Sequence, residues 1–209
     1  MITQARTQAE RTRATTDQLV SAARELFATT GYDATYLDAV VERAGVTKGA
    51  LYHHFEGKRA LFAAVYEAEQ RFIQQAVYRA ARDHHDNSWQ AFIAGCRAFF
   101  DVALDSGFQQ ILIDAPAVLG WQQMREIEDR YLMALFKQGI HRAMEDGHIK
   151  RRRVEPLAHQ LHGAMCEAAM VVARSDDPAQ EASDAVAALE ELLNGITISS
   201  SGRRSDASD

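Results

Sequence analysis

Apolar side chains along this chain recur at intervals of three and four, the spacing that lines one face of a helix. Leu19, Ala22, Ala23, Leu26 and Phe27 make the first stripe and predict a helix over about 16–30, capped by Thr16 or Asp17 and closed by Gly31. Leu37, Val40 and Val41 predict a short second helix with Thr35 as its N-cap, ending at Ala44-Gly45. Thr47 caps a third helix of two turns, Lys48 to His54. Two short helices joined by a glycine-containing turn are the signature of a helix-turn-helix. After Phe55-Glu56-Gly57, a long helix runs from about Lys58 to His84 with Leu61, Phe62, Val65, Phe72, Ile73 and Val77 on one face.

Further on, Trp89, Phe92, Ile93, Cys96, Phe99 and Phe100 mark a helix to about Leu104. A short one over Phe108–Ile113 is ended or kinked at Asp114-Ala115-Pro116. Helices follow over about 121–145, 155–174 and 179–194. Alternating strand-like runs are almost absent, so the fold class is all-α: three short N-terminal helices, then about six longer ones. Residues 1–13 are polar and aperiodic and read as a flexible arm, residues 14–60 as the helix-turn-helix domain and residues 61–196 as a second helical domain. The Ser-, Gly-, Arg- and Asp-rich residues 197–209 read as a disordered tail. The boundary between the domains falls at the start of the helix that begins at Lys58, so a rigid element, not a linker, joins them.

Composition narrows the picture. No run of 18 apolar residues exists, so no membrane-spanning helix is expected, and Met1 to Arg13 lack the apolar centre of a signal peptide. Cys96 and Cys166, far apart, make neither a disulfide framework nor a zinc pattern, and the chain reads as cytoplasmic. No nucleophile elbow, phosphate loop or metalloprotease motif is present, so neither enzyme activity nor a cofactor is expected. The net charge of −6 disfavours DNA until it is divided along the chain. Residues 1–60 hold eight Lys/Arg against seven Asp/Glu, which leaves the acidity in the remainder.

The series Leu19, Ala22-Ala23, Leu26-Phe27, Gly31-Tyr32, Thr35, then Ala44-Gly45-Val46-Thr47-Lys48-Gly49-Ala50-Leu51-Tyr52-His53-His54-Phe55 and Lys58 resembles the TetR family of bacterial transcriptional regulators. The resemblance covers about residues 11–66. It departs mildly at Ala39, where an acidic residue is common, at Val40, usually Ile, and at Val41, usually Ala; none of these is a DNA-facing position. It implies a ligand-binding and dimerisation domain behind the helix-turn-helix. The implied protein is a homodimeric repressor that leaves a palindromic operator when a small organic molecule binds.

In a helix-turn-helix the second helix enters the major groove with its first residues at the base edges. Thr47, Lys48 and Ala50 are placed to meet bases, and Gly49 lets the backbone approach. Tyr52, His53, Lys58 and Thr35 suit phosphates. A two-fold dimer would set two such helices about 34–36 Å apart on double-stranded DNA with an inverted repeat.

The resemblance implies that the last two helices pair with their copies, through Leu161, Met165, Ala168 and Val172 on one and Val186, Leu189 and Leu193 on the other. The alternative is packing inside one chain. An effector pocket is expected among Trp89, Phe92, Cys96, Phe99, Trp121, Met124 and Met165, with Arg125, Glu128 and His162 as polar contacts, although most of these side chains also suit an ordinary core. A competing reading is a metal- or redox-responsive regulator. His159, His162 and Cys166 fall at i, i+3 and i+7 on one helical face and are ligand types for zinc or copper.

Overall fold

Nine α-helices and one π-helical turn make up the computed structural model, which describes residues 7–198. They are α1 (Gln8–Ala34), α2 (Leu37–Ala44), α3 (Lys48–His54), α4 (Lys58–Arg82), α5 (Ser88–Ala103), α6 (Ser106–Glu128), α7 (Ala134–Glu145), α8 (Val154–Arg174) and α9 (Pro178–Asn194), with the π turn Asp129–Met133 between α6 and α7. The all-α class read from periodicity stands. Among the described residues the only extended pairing is a single antiparallel bridge, Ile149 to Thr197, beside which the Ile198 N–H donates to the His148 carbonyl.

The first helix starts earlier than its apolar stripe. The Thr7 hydroxyl accepts from the Glu10 N–H while the Glu10 carboxylate accepts from the Thr7 N–H, a reciprocal capping box that begins the helix at Gln8. Residues 8–13 of the expected arm are therefore helical, and Thr16 and Asp17 lie inside α1 rather than capping it. The expectations for residues 1–6 and 199–209 lie outside the described residues.

Two glycines break helices. Gly31 (φ 77°, ψ 169°) and Gly120 (φ 75°, ψ 163°) share a region open essentially to glycine alone. The break expected at Asp114-Ala115-Pro116 falls instead at Gly120: α6 runs through Pro116, and the chain turns only where a residue without Cβ permits it. Beyond the break, the second segment of α6, the π turn and α7 together occupy the expected long helix over 121–145.

Two apolar cores divide the buried side chains, and α6 serves both. Ile111, Ala115, Leu119 and Ile127 of α6 join Leu19, Phe27, Leu51 and Phe62 in the first core. Phe108 and Leu112 join Phe92, Phe99, Phe136 and Met165 in the second. The N-terminal helices thus complete their core with α6, so the head expected over residues 14–60 is not packed on its own. Phe27, Tyr32 and Phe62 meet with ring centroids 5.1–5.7 Å apart. Arg24 of α1 bridges to the buried Glu69 of α4 at 2.5 Å and to Asp105 before α6 at 3.0 Å. On α4 the buried face carries Phe62, Tyr66, Glu69, Gln70, Ile73 and Val77, while Phe72, expected inward, is exposed because it lies off that stripe.

Gly120 has no neighbour within 4 Å of where a Cβ would stand, so Gly120→Ala tests backbone strain alone. The expected loss of unfolding free energy is about 1–3 kcal/mol, read from urea denaturation. An unchanged midpoint would show that the positive φ is not required.

Candidate DNA interface and effector cleft

The segment expected to read DNA is built by two local devices. Gly45 adopts the left-handed conformation (φ 66°, ψ 29°) that closes α2, and the Thr47 hydroxyl accepts from the Ala50 N–H at 3.1 Å to open α3. Leu51 points into the first core with no exposed surface, which fixes the rotation of α3. Thr47, Lys48, Gly49 and His53 are then exposed, Ala50 is half-buried, and Tyr52 is 52% exposed. The Lys48 ammonium lies 2.6 Å from Asp38 of α2, an exposed pair. His54 Nδ1 contacts the Thr16 hydroxyl at 3.2 Å, seating α3 on α1.

Two residues expected at phosphates have partners within the chain. Thr35 is buried, and its hydroxyl donates to the Gly31 carbonyl at 2.7 Å and meets the Thr30 hydroxyl at 2.9 Å. It seals the α1–α2 corner, and the N-cap position of α2 belongs to Tyr36, which is 74% exposed. Lys58 is also engaged: its ammonium donates to the Asp33 carbonyl and sits 4.3 Å from the centre of the Tyr32 ring. Periodicity did not single out Tyr36, because an aromatic residue one position before an apolar stripe reads as part of it.

Most residues expected at the dimer face pack inside the chain. Leu161, Met165, Leu189 and Leu193 are buried in the chain's own second core, and Val172 is buried too. Ala168 and Val186 are half-buried against that core. The large apolar side chains that α8 and α9 leave exposed are Val171 and Leu192, the latter 61% exposed.

The expected effector residues separate into two places. Phe92 and Cys96 line a cleft of about 610 Å³ between α4, α5 and α7, with Val77 and Phe136 also on its floor. Trp89 stacks on Phe92 at 5.7 Å, immediately behind the wall. Burial pushes the Cys96 thiol up to about 12, so it serves there as an apolar group. Phe99 is buried against Phe100, Met165 is core, and Met124 packs half-buried on the first core.

Arg125, Glu128 and His162 belong to a buried polar seam between the two cores. Tyr66 of α4, unmarked by the pattern beyond the polar Glu69 and Gln70 on its face, donates its hydroxyl to Glu128 at 2.8 Å. The Arg125 guanidinium lies 3.1 Å from the other Glu128 oxygen and 3.0 Å from His162 Nδ1. The guanidinium also stacks on Trp121, which is 72% exposed. Arginine only donates, so Nδ1 accepts, and the His162 ring is neutral with its proton on Nε2. Burial and then the charge of Arg125 lower the His162 pKa to about 4. Burial raises the Glu128 carboxyl, opposed by its bonds to Tyr66 and Arg125.

The metal triad read from spacing is not assembled. His159 is exposed, and the donor atoms that gather within 4.8 Å are those of Glu128, His162 and Cys166. Arg125 already supplies the positive charge between Glu128 and His162, and burial pushes the Cys166 thiol up, away from the thiolate a metal needs. Among the described residues no helix is long and apolar enough to cross a membrane.

A capped recognition helix with its N-terminal half exposed, carried on a helical domain with a cleft, defines a helix-turn-helix DNA-binding regulator. Residues 19–65 match the family described as bacterial regulatory proteins, tetR family, and residues 89–196 match the tetracyclin repressor-like C-terminal domain. A TetR-family transcriptional regulator of known structure from Pectobacterium atrosepticum is 32% identical, with TM-score 0.79 over 92% of this chain and 98% of that one. The TetC protein of transposon Tn10 from Escherichia coli is 29% identical over 75% of this chain and 79% of its own. The transcriptional activator FasR of Mycolicibacterium smegmatis is 40% identical over 40% of this chain and 38% of its own. The chain belongs to the TetR family and is a DNA-binding transcriptional regulator.

The seam gives a pH signature. The folded pKa of His162 lies below its unfolded value of 6.5, so the unfolded state binds the extra proton as pH falls from 6.5 towards 4. Stability from this group is full above pH 6.5 and is lost across that window, whereas the raised Glu128 pKa acts with the opposite sign. Wild type is expected to lose about 2 kcal/mol more than His162→Gln between pH 7 and pH 5, measured by urea denaturation. Parallel losses would mean that the ring is not held neutral.

Proposed function

We propose that the protein is an effector-released repressor that binds an inverted-repeat operator as a homodimer in the cytoplasm. The observation that carries the reading is the rotation of α3: Leu51 is fully buried while Thr47, Lys48, Gly49 and Tyr52 stand in solvent. Thr47, Lys48 and Ala50 meet base edges, Gly49 allows close approach, and Tyr52 and His53 hold phosphates. Tyr36, exposed at the start of α2, takes the phosphate role expected of the buried Thr35. The dimer forms on the outer faces of α8 and α9, around Val171 and Leu192.

Effector binding acts by favouring a conformation whose recognition helices are wrongly spaced for DNA. The path runs through α6. The Arg59 guanidinium donates to the carbonyls of Val118 and Leu119 and to the Gln123 side chain, so the start of α4 grips both sides of the Gly120 break. The Tyr32 N–H, at the end of α1, donates to Asp114 of α6 at 2.8 Å.

The reading is tested by mobility shift on DNA flanking the protein's own gene at two salt concentrations. Selective, salt-sensitive binding is expected, weakened roughly tenfold or more by Lys48→Ala and by Tyr52→Ala. No selective binding there or to a random-sequence pool would overturn it. Arg59→Gln is expected to keep operator binding within about threefold while the effector no longer releases the DNA. An unchanged effector response would remove Arg59 from the path.

A further inference from the structure

The effector-released reading leaves the chemistry of the effector open, and the cleft between α4, α5 and α7 narrows it. Its floor is apolar, with Val77, Phe92, Cys96 and Phe136. Its depth depends on two glycines. A Cβ on Gly139 would stand 2.6 Å from the Phe92 ring, and one on Gly95 would stand 3.0 Å from Val77. Phe92 and Val77 therefore pack directly against helix backbones, and the apolar floor they make suits a chain or a ring.

The rim has a different character. Arg82, at the end of α4, and Arg142, near the end of α7, border the cleft, and among the described residues neither has a carboxylate within ion-pair distance. His85 also borders it, turned to Asp86 at 3.2 Å, and Asp146 is the one carboxylate of the lining. Two guanidiniums against one carboxylate leave the rim cationic. In the same lining, the Ser88 hydroxyl is buried with no hydrogen-bond partner, a state that a folded chain rarely leaves uncompensated. An apolar slot of this size is typical of small-molecule sites, and guanidiniums are suited to forked contacts with carboxylates.

We propose that the effector is an apolar-bodied monocarboxylate, a medium-chain or alkyl-aromatic acid. Its hydrocarbon part fills the slot between α4, α5 and α7, and its carboxylate is held by Arg82 and Arg142 at the rim. The proposal rests on the effector-responsive reading for its consequence, not for the binding itself.

The test uses tryptophan emission. The chain has two tryptophans, and Trp121→Phe leaves Trp89, stacked on the cleft's Phe92, as reporter. Octanoate, p-butylbenzoate, octan-1-ol and octylammonium are titrated into the full-length protein. At least one of the two carboxylates is expected to bind saturably, one per chain, and roughly tenfold or more tighter than the alcohol, with the ammonium weakest. Arg82→Gln with Arg142→Gln is expected to bring carboxylate affinity down to that of the alcohol and to leave the alcohol unchanged. Circular dichroism checks that the double variant folds, and each single variant repeats the comparison at lower amplitude. No saturable carboxylate binding up to about 1 mM, an alcohol that binds as tightly, or arginine variants without effect would each overturn the proposal. Because the readout needs no DNA, a failure of operator binding leaves it standing, and selective operator binding without carboxylate binding overturns this proposal alone.

Discussion

One guanidinium and the two backbone carbonyls it grips organise this molecule. The turn at Gly120 interrupts α6, and Arg59, in the first turn of α4, donates to the carbonyls of Val118 and Leu119. Hydrogen bonds from a charged donor are about twice as strong as neutral ones, so the junction is firm without being covalent. It fixes the start of α4, directly behind the recognition helix, to a helix whose far end touches the effector-side core. From that anchor α4 runs 25 residues to the rim of the cleft. One helix therefore has an end near each of the two candidate sites.

Between those ends lies the polar seam. Tyr66, Glu128, Arg125 and His162 satisfy one another where α4, α6 and α8 meet, at the border of the two apolar cores. A purely apolar border would let the helices slide with little directional cost, whereas a chain of fixed donors and acceptors admits few registers. The π turn at Asp129–Met133 begins at the next residue and is held from α4 by Gln74, which donates to the Tyr131 carbonyl. Irregular helix at such a place commonly accompanies function.

The fold was legible in the sequence to the extent that burial follows period. The stripes at Leu19–Phe27 and Trp89–Phe100, and the Gly45–Thr47 turn, each appear where spacing puts them. What failed was local polar chemistry. A capping box at Thr7 and Glu10 outweighed the lack of apolar residues before Leu19, and the Thr35 hydroxyl turned inward to backbone instead of capping α2. Of the site, the exposed face of α3 was readable because Leu51 fixes it. Of the residues expected around an effector, Phe92 and Cys96 reach the cleft, whereas Trp121 points outward and Arg125, Glu128 and His162 bond one another. An apolar stripe on α8 or α9 cannot say whether it meets its own chain or a second copy; Leu161 and Leu189 meet their own.

The pair between Lys48 and Asp38 has a further consequence for how such a protein finds its target. On the proposed orientation of α3, the lysine nearest the bases carries its own counter-ion, and the N-terminal sixty residues are almost charge-neutral. Fewer ions are then expelled when the protein lands on arbitrary DNA, and affinity for random sequence is correspondingly low. Only a site that draws Lys48 away from Asp38 gains the full contact. Discrimination then resides partly in what the free protein already holds, and a sparse regulator of this kind loses little of its population to the rest of the chromosome.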